Sequence, residues 1–119
     1  MNNYKKHLIS ESTKIKEALS ILDKLKSDAI LFVHNSEQQL IGSLTYGDIR
    51  RGLLKKLNTN DVVKLFIHDN PKFIRKDNYS IKDIIELREN NFNVIPIVDK
   101  DNKVINILNF RIQKVLYQQ

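Results

Sequence analysis

Residues 29–45, AILFVHNSEQQLIGSLT, determine the fold, because two short apolar runs stand on either side of a polar turn. This arrangement is typical of a β-hairpin. Residues 94–109, VIPIVDKDNKVINILN, repeat it about 65 positions later. The same hairpin is therefore predicted twice, and an internal repeat of this kind constrains the whole topology.

An amphipathic segment precedes each hairpin. Residues 13–22 and 79–87 carry apolar side chains at the i, i+3, i+4 spacing of a helix with one buried face. In the second of these segments, Ser80 and Asp83 match the capping box that begins many helices. Each hairpin is thus preceded by a predicted helix.

Shorter signals complete each repeat. A short strand is predicted before each helix, at residues 7–10 and 72–74, and a further helix after each hairpin, at residues 48–57 and 110–116. A helix at residues 59–66 is expected to connect the two halves. The fold class is therefore α/β, with two β-α-β-β-α repeats that pack on each other with internal pseudo-twofold symmetry.

The composition excludes several classes of function. The 119 residues are 41% apolar and 29% charged, as in ordinary globular domains, and there is no cysteine for disulfides, thiol catalysis or thiolate metal sites. The three histidines are scattered, so no metal site is predicted. No apolar run approaches the ~20 residues of a membrane span, and the N-terminus is not of the signal-peptide type. A cytoplasmic location is therefore expected.

The net charge of +6 raises the question of a nucleic-acid or membrane partner. The lysines follow no single stripe, which favours solvated helix faces instead. Spacing identifies no phosphate loop and no pair of nucleophile and base, and the chain has only three glycines. We therefore expect no nucleic-acid partner, no membrane partner and no catalytic residue in this chain.

Residues 42–51, GSLTYGDIRR, carry the most specific local signal, because they cover the end of a predicted strand and the start of a helix. Exposed N–H groups and the helix dipole make such a junction an anion site. The Thr45 hydroxyl can donate to a phosphate oxygen, and the Asp48 carboxylate can accept from the two hydroxyls of a ribose. Gly47 can take a positive φ and lets a ligand approach the backbone closely.

The same residues permit a second interpretation. Arg50 or Arg51 can clamp a phosphate in a ligand site. Thr45 and Asp48 can equally well form a helix cap, with Gly47 as a plain turn residue. Spacing alone does not decide between a ligand site and a cap.

The order helix, strand, turn, strand, and then Gly-x-x-Thr-x-x-Asp, resembles the CBS motif. The repeat makes residues 1–119 similar to a tandem CBS pair, or Bateman module, with a first motif at residues 7–57, a connecting segment at 58–71 and a second motif at 72–119. The resemblance implies a non-catalytic regulatory module that requires no cofactor and binds a nucleotide such as AMP, ADP or ATP. CBS pairs commonly form dimers, so a homodimer is expected.

In that family the threonine and the aspartate of the motif bind the phosphate and the ribose, which implies these roles for Thr45 and Asp48. Other contacts come from the first strand and from the strand before the hairpin. The nucleotide site that the resemblance implies consists of Ile9, Ser10, Ile30, Thr45, Tyr46, Gly47, Asp48 and Arg50. Tyr46 is interpreted either as a surface aromatic or as a stacking partner for a base.

The second copy of the motif departs from this pattern. Asn106 replaces the glycine, Asn109 the threonine and Ile112 the aspartate. An isoleucine cannot accept ribose hydroxyls, so this copy is expected to be degenerate. A weaker second site would consist of Ile74, Pro96, Asn109 and Arg111. Pro96 also predicts either an edge position for its strand or an exposed N–H side at that residue, because proline has no N–H to donate.

Residues 45–54, TYGDIRRGLL, followed by residues 69–71, DNP, are similar to CBS pairs attached to sugar nucleotidyltransferases or sugar-phosphate isomerases. Because the module begins near Met1, the resemblance favours the nucleotidyltransferase arrangement, with an attached or partner sugar-nucleotide enzyme expected beyond Gln119. The alternative is a structural or dimerisation module with no ligand, which would need the Asp48 carboxylate only as a helix cap.

Overall fold

The computed structural model describes residues 3–111, and the chain divides into two compact units, Met1–Pro71 and Lys72–Gln119. Each unit contains one three-stranded sheet, built from a strand, a helix and a hairpin in the same order. The predicted α/β repeat is therefore confirmed for the described part of the chain. No helix within residues 3–111 has the length and apolar character needed to cross a membrane.

The first unit opens with a 3-10 turn, Tyr4–His7. Its strands are β1 (Leu8–Ser10), β2 (Leu31–His34) and β3 (Leu40–Leu44), and its helices are α1 (Ile15–Leu25) and α2 (Tyr46–Leu54). β1 pairs in parallel with β2, which pairs antiparallel with β3. α1 buries Ile15, Ala18 and Leu22, three residues of the apolar face that the sequence spacing predicts.

The second unit repeats this order. Its strands are β4 (Ile74–Arg75), β5 (Val94–Val98) and β6 (Val104–Asn109), and its helix is α3 (Ile81–Glu89). Ser80 and Asp83 cap α3 as predicted: Ser80 N–H donates to Asp83 Oδ2 at 3.1 Å, and Asp83 N–H donates to Ser80 Oγ at 3.2 Å. The predicted last helix begins at Phe110, and its continuation lies outside the described residues.

The predicted helix at residues 59–66 is wrong, because this segment is a loop with one 3-10 turn, Val63–Leu65. Its backbone pairs instead with the start of α1, where the N–H of Ile15 donates to the carbonyl oxygen of Asp61 at 3.0 Å. The N–H groups in the first turn of a helix have no acceptor within that helix. The loop supplies such an acceptor, whereas a helix at residues 59–66 would use its own carbonyl groups internally.

The two hairpin turns are held by the same contacts. The Oδ1 atom of Asn35 accepts from the N–H groups two and four residues further on, at 2.9 and 3.0 Å. The Oδ1 atom of Asp99 does the same in the second hairpin, at 2.8 and 3.0 Å. The third residue after each of them, Gln38 or Asn102, has a positive φ of 68° or 66°. The repeat therefore extends to individual hydrogen bonds of a kind common in turns.

Pro96 is buried within β5, the central strand of its sheet, so of the two predicted alternatives the edge strand is wrong. Pro96 lies opposite Ile107 of β6. β4 pairs only with Ile97 and Val98 of β5, so at Pro96 β5 has a paired strand, β6, on one side only. The proline is tolerated because the short β4 requires no N–H from it.

Gly52 allows α2 to pack closely on the core of the first unit. A Cβ atom at this position would overlap the Phe66 ring. Phe66 is itself buried in the same hydrophobic cluster as Val63 and Leu44. A glycine inside a helix lowers stability by about 1 kcal/mol relative to alanine, and this close approach is the structural reason for one here.

Gly42 of β3 permits a second close approach. A Cβ atom there would lie 2.7 Å from the carbonyl oxygen of His68. The neighbouring Ser43 exchanges two backbone hydrogen bonds with His68, each of 2.9 Å. The backbone that follows the 3-10 turn therefore pairs with β3 at this point.

We expect Gly52→Ala to lower the free energy of unfolding by up to about 2 kcal/mol, because overpacking a core costs ~1–3 kcal/mol and alanine regains only about 1 kcal/mol of helix propensity. The melting temperature, followed by circular dichroism, should fall by up to roughly 10 °C. Gly47→Ala, in the same helix, is the control, because its Cβ would meet only the flexible Arg51 side chain, at 3.3 Å. An equal loss in both variants would contradict the packing role of Gly52.

The pKa of Asp99 lies below its ordinary value, chiefly because its carboxylate accepts from the N–H of Lys103. Since the pKa is lower in the folded chain, this contact stabilises the hairpin above the ordinary pKa and is lost as the pH falls through the lowered value. We expect the hydrogen-exchange protection of the Lys103 amide, measured by NMR, to fall on acidification. The Gln39 amide is the internal control, since Asn35 does not titrate; an equal fall at Gln39 would refute the prediction.

Candidate functional site

Most of the predicted site lies at one end of the first sheet. β2 and β3 are antiparallel, with Leu31 opposite Leu44, so the end of β3 lies beside the start of β2. Ile30 immediately precedes β2, and Thr45 links β3 to α2. The first turn of α2 therefore begins beside the start of β2.

His7 connects the start of β1 to the same end of the sheet. It is buried, and its Nδ1 atom lies 2.9 Å from the carbonyl oxygen of Ile30. The N–H of Ile30 donates to the carbonyl oxygen of Asp28 at 2.8 Å. Both backbone polar groups of Ile30 are thus engaged within the chain. Sequence reasoning missed this role of His7, because the contact depends on the pairing of β1 with β2 and has no local signal.

Thr45 and Asp48 form a reciprocal capping box at the start of α2. The N–H of Asp48 donates to Thr45 Oγ1 at 3.4 Å, and the N–H of Thr45 donates to Asp48 Oδ2 at 2.9 Å. The Thr45 hydroxyl also donates to Asp48 Oδ2, at 3.0 Å. In this structure the contacts of the two side chains are thus those of a helix cap.

Arg51 contacts the other oxygen of the same carboxylate. Its Nη2 atom donates to Asp48 Oδ1 at 2.8 Å. The Asp48 side chain is only 10% exposed, whereas the Arg51 side chain is 60% exposed. Of the two arginines considered from the sequence, it is therefore Arg51, and not the exposed Arg50, that meets the carboxylate. The signal that distinguishes them is the i,i+3 spacing of Asp48 and Arg51 on a helix.

Gly47 lies close to the guanidinium group of Arg51. Its φ is not positive, so the predicted use of the left-handed region is wrong; as the second residue of α2 it has helical backbone. A Cβ atom there would lie 3.3 Å from Arg51 Nη1. The lack of a side chain therefore lets the guanidinium approach the start of the helix. The neighbouring Tyr46 is 44% exposed.

Two residues of the predicted site lie elsewhere in the first unit. The side chain of Ile9 is 5% exposed and packs in the hydrophobic core. Ser10 lies opposite His34, at the last residue of β2, whereas the site is at the first residue of that strand, about 10 Å away. The structure thus brings together Ile30 and residues 45–51, but it does not bring Ser10 to them.

The predicted weaker site of the second unit has different surroundings. Ile74 and Pro96 are buried. Asn109, which replaces the motif threonine, accepts from the N–H of Arg111 through its Oδ1 atom at 3.0 Å, as a cap does. Ile112, which replaces the motif aspartate, lies outside the described residues.

Residues 6–55 match the family model of the CBS domain. This match runs from the 3-10 turn before β1 to the end of α2. It therefore includes Ile30 and residues 45–51, which form the candidate site.

Longer bacterial proteins are similar to this chain in sequence. An uncharacterized protein of Helicobacter pylori (strain J99) is 32% identical over 102 residues. The uncharacterized protein RP505 of Rickettsia prowazekii (strain Madrid E) is 31% identical over 101 residues. Each alignment covers 85% of this chain and 31% of the relative, so the chain spans about a third of the length of the curated relatives it matches.

Three solved structures are similar in fold. CBSX2 in complex with AMP has a TM-score of 0.71 at 24% identity, covering 95% of this chain and 90% of that chain. The CBS domain pair of MJ0100, in complex with 5-methylthioadenosine and S-adenosyl-L-methionine, has 0.69 at 21%, covering 93% and 86%. PAE2072 from Pyrobaculum aerophilum, a CBS domain protein complexed with AMP, has 0.68 at 16%, covering 93% and 88%. The chain has the fold of a tandem CBS pair, and its residues 6–55 match the CBS domain family.

Proposed function

We propose that this chain is a non-catalytic regulatory module that binds a nucleotide at the start of α2. An adenosine-type nucleotide is the favoured ligand. The observation that carries the proposal is the Asp48 carboxylate, held by Thr45 in the first turn of a helix. Solved structures of the same fold, CBSX2 and PAE2072, contain AMP, which supports an adenosine-type ligand. A nucleotide sensor of this kind acts in the cytoplasm, where the nucleotide pool is.

The side chains in the first turn of α2 are suited to the two polar parts of a nucleotide. The N–H groups of a first helical turn and the helix dipole attract a phosphate, and the Thr45 hydroxyl can turn from Asp48 to donate to a phosphate oxygen. The Asp48 carboxylate can accept from ribose hydroxyls, since a carboxylate offers about four acceptor positions. The base preference of such a site depends on other contacts, because both backbone polar groups of Ile30 already have partners.

Thermal melting with a panel of AMP, ADP, ATP, GDP, CMP and UDP-sugars tests this proposal. A ligand present at about 100 times its dissociation constant stabilises the fold by ~2.7 kcal/mol. We expect the best adenosine nucleotide to raise the melting temperature by roughly 8–15 °C. The absence of a shift with every member of the panel would contradict the sensor function.

Replacement of the carboxylate separates its role in the ligand site from its role in the cap. We expect Asp48→Asn to remove the nucleotide-dependent shift in melting temperature. Asp83→Asn is the matched control, because Asp83 forms the same capping box at the start of α3 in the other unit. This control should lose a similar amount of stability in the absence of ligand and keep the shift. A shift that survives in Asp48→Asn would refute the assigned ribose contact.

A structural or dimerisation module without a ligand is the second candidate. One observation favours it: the capping box and the ion pair with Arg51 account for the contacts of Thr45 and Asp48 without any ligand. Under this alternative, Asp48→Asn and Asp83→Asn would differ in nothing but the helix that they destabilise. Analytical ultracentrifugation would then show the homodimer, with no change on addition of nucleotide.

We further propose that the module controls an attached or partner sugar-nucleotide enzyme. The sequence similarity of residues 45–54 and 69–71 to CBS pairs of such enzymes supports this, as does the length of the Helicobacter relative, of which the chain covers 31%. The test is to read the gene beyond the codon for Gln119. A nucleotidyltransferase-type catalytic sequence there would support the attached form, and a catalytic domain of an unrelated class would contradict it.

A further inference from the structure

Arg51 competes for the atom that a ribose would need. The Oδ2 atom of Asp48 accepts from the N–H and from the hydroxyl of Thr45, at 2.9 and 3.0 Å. The Oδ1 atom accepts from Arg51 Nη2 at 2.8 Å. Three of the roughly four acceptor positions of a carboxylate are therefore filled. A ribose diol brings two hydroxyl donors. When the ligand has no phosphate, the Thr45 hydroxyl stays on Oδ2, and the diol then needs the position that Arg51 takes.

The burial of the two side chains shows which of them can yield. Asp48 is 10% exposed and is fixed by the cap, whereas Arg51 is 60% exposed. An ion pair with one solvated partner contributes little stability, and a long side chain changes rotamer readily. Arg51 can therefore leave the carboxylate without disturbing the helix.

The guanidinium already lies where a phosphate would bind. A long helical side chain points back toward the N-terminus of its helix, and Arg51 does so, since its Nη1 atom would be 3.3 Å from a Cβ on Gly47. A phosphate bound at the first turn of α2 would directly contact the Arg51 guanidinium. Arginine binds phosphate through two parallel hydrogen bonds, and a nucleotide phosphate carries up to two negative charges. A small rotation would thus move the guanidinium from the carboxylate to the ligand.

We propose that Arg51 is a specificity-determining residue that makes the site select nucleotides over nucleosides, an inference that rests on the proposed function. A nucleoside must displace the guanidinium from Asp48 into water. When a nucleotide binds, the guanidinium moves from Asp48 to the phosphate of the ligand, so that the ribose contact and the phosphate contact form together. Arg51 therefore lowers the affinity of the site for a ligand that has the ribose but no phosphate.

Isothermal titration of the wild-type chain with AMP and with adenosine tests this inference. We expect AMP to bind at least 30-fold more tightly than adenosine. In Arg51→Met this ratio should fall at least tenfold. The phosphate of AMP loses the guanidinium as a partner, whereas adenosine no longer has to displace the guanidinium from Asp48. Lys55→Met removes one positive charge from the other end of the same helix, where the side chain is exposed, and it should leave the ratio within threefold.

The outcomes separate the inference from the proposed function. An unchanged ratio in Arg51→Met, or an equal fall in Lys55→Met, would overturn the role of Arg51 while AMP binding itself stands. If neither AMP nor any other nucleotide of the panel binds the wild-type chain, the proposed function fails, and the inference fails with it. The NMR shift of the Asp48 carboxyl carbon is a second readout: AMP should change it in the wild type in the direction that Arg51→Met changes it without ligand. A shift in the opposite direction would contradict the exchange of partners.

Discussion

The antiparallel pairing of β2 with β3 determines what else can form in the first unit. It fixes Leu31 opposite Leu44, so the chain leaves the sheet beside the point where β2 enters it. The parallel pairing of β1 then brings His7 to Ile30. Because a shift of register by one residue would turn every side chain to the opposite face, this pairing also decides which residues form the core.

The elements of each repeat could be predicted from the sequence because each has a local signal. Short apolar runs on either side of a polar turn marked the hairpins, and helical spacing marked α1 and α3. Residues 59–66 were assigned wrongly because the first turn of α1, distant in sequence, takes their carbonyl groups as acceptors. The sequence could not decide between the two alternatives for Pro96, since the outcome depends on how few residues of β5 pair with β4. Long-range partners of this kind leave no trace in a local pattern.

The candidate site could likewise be predicted only where its residues leave a local signal. The spacing of Thr45 and Asp48 indicated both a cap and a ligand site, and the cap is present. The partner of the carboxylate, Arg51, follows from helical spacing once the helix is known to begin at Tyr46. Ser10 and Ile9 were included by resemblance, but the register of β1 places one away from the site and the other in the core. Under the proposed function, one carboxylate thus stabilises a helix and recognises a ligand.

The contact between Ser43 and His68 has a consequence for association between chains. Strands with unpaired N–H and C=O groups at the edge of a sheet can template the addition of another strand, and natural proteins block such edges. On β3, both backbone groups of Ser43 are already bonded to His68, and Gly42 lets that segment lie close enough. A strand from another chain therefore cannot extend the first sheet at this point without first removing residues 66–68. The backbone that follows the 3-10 turn thus also protects this part of β3 against β-aggregation.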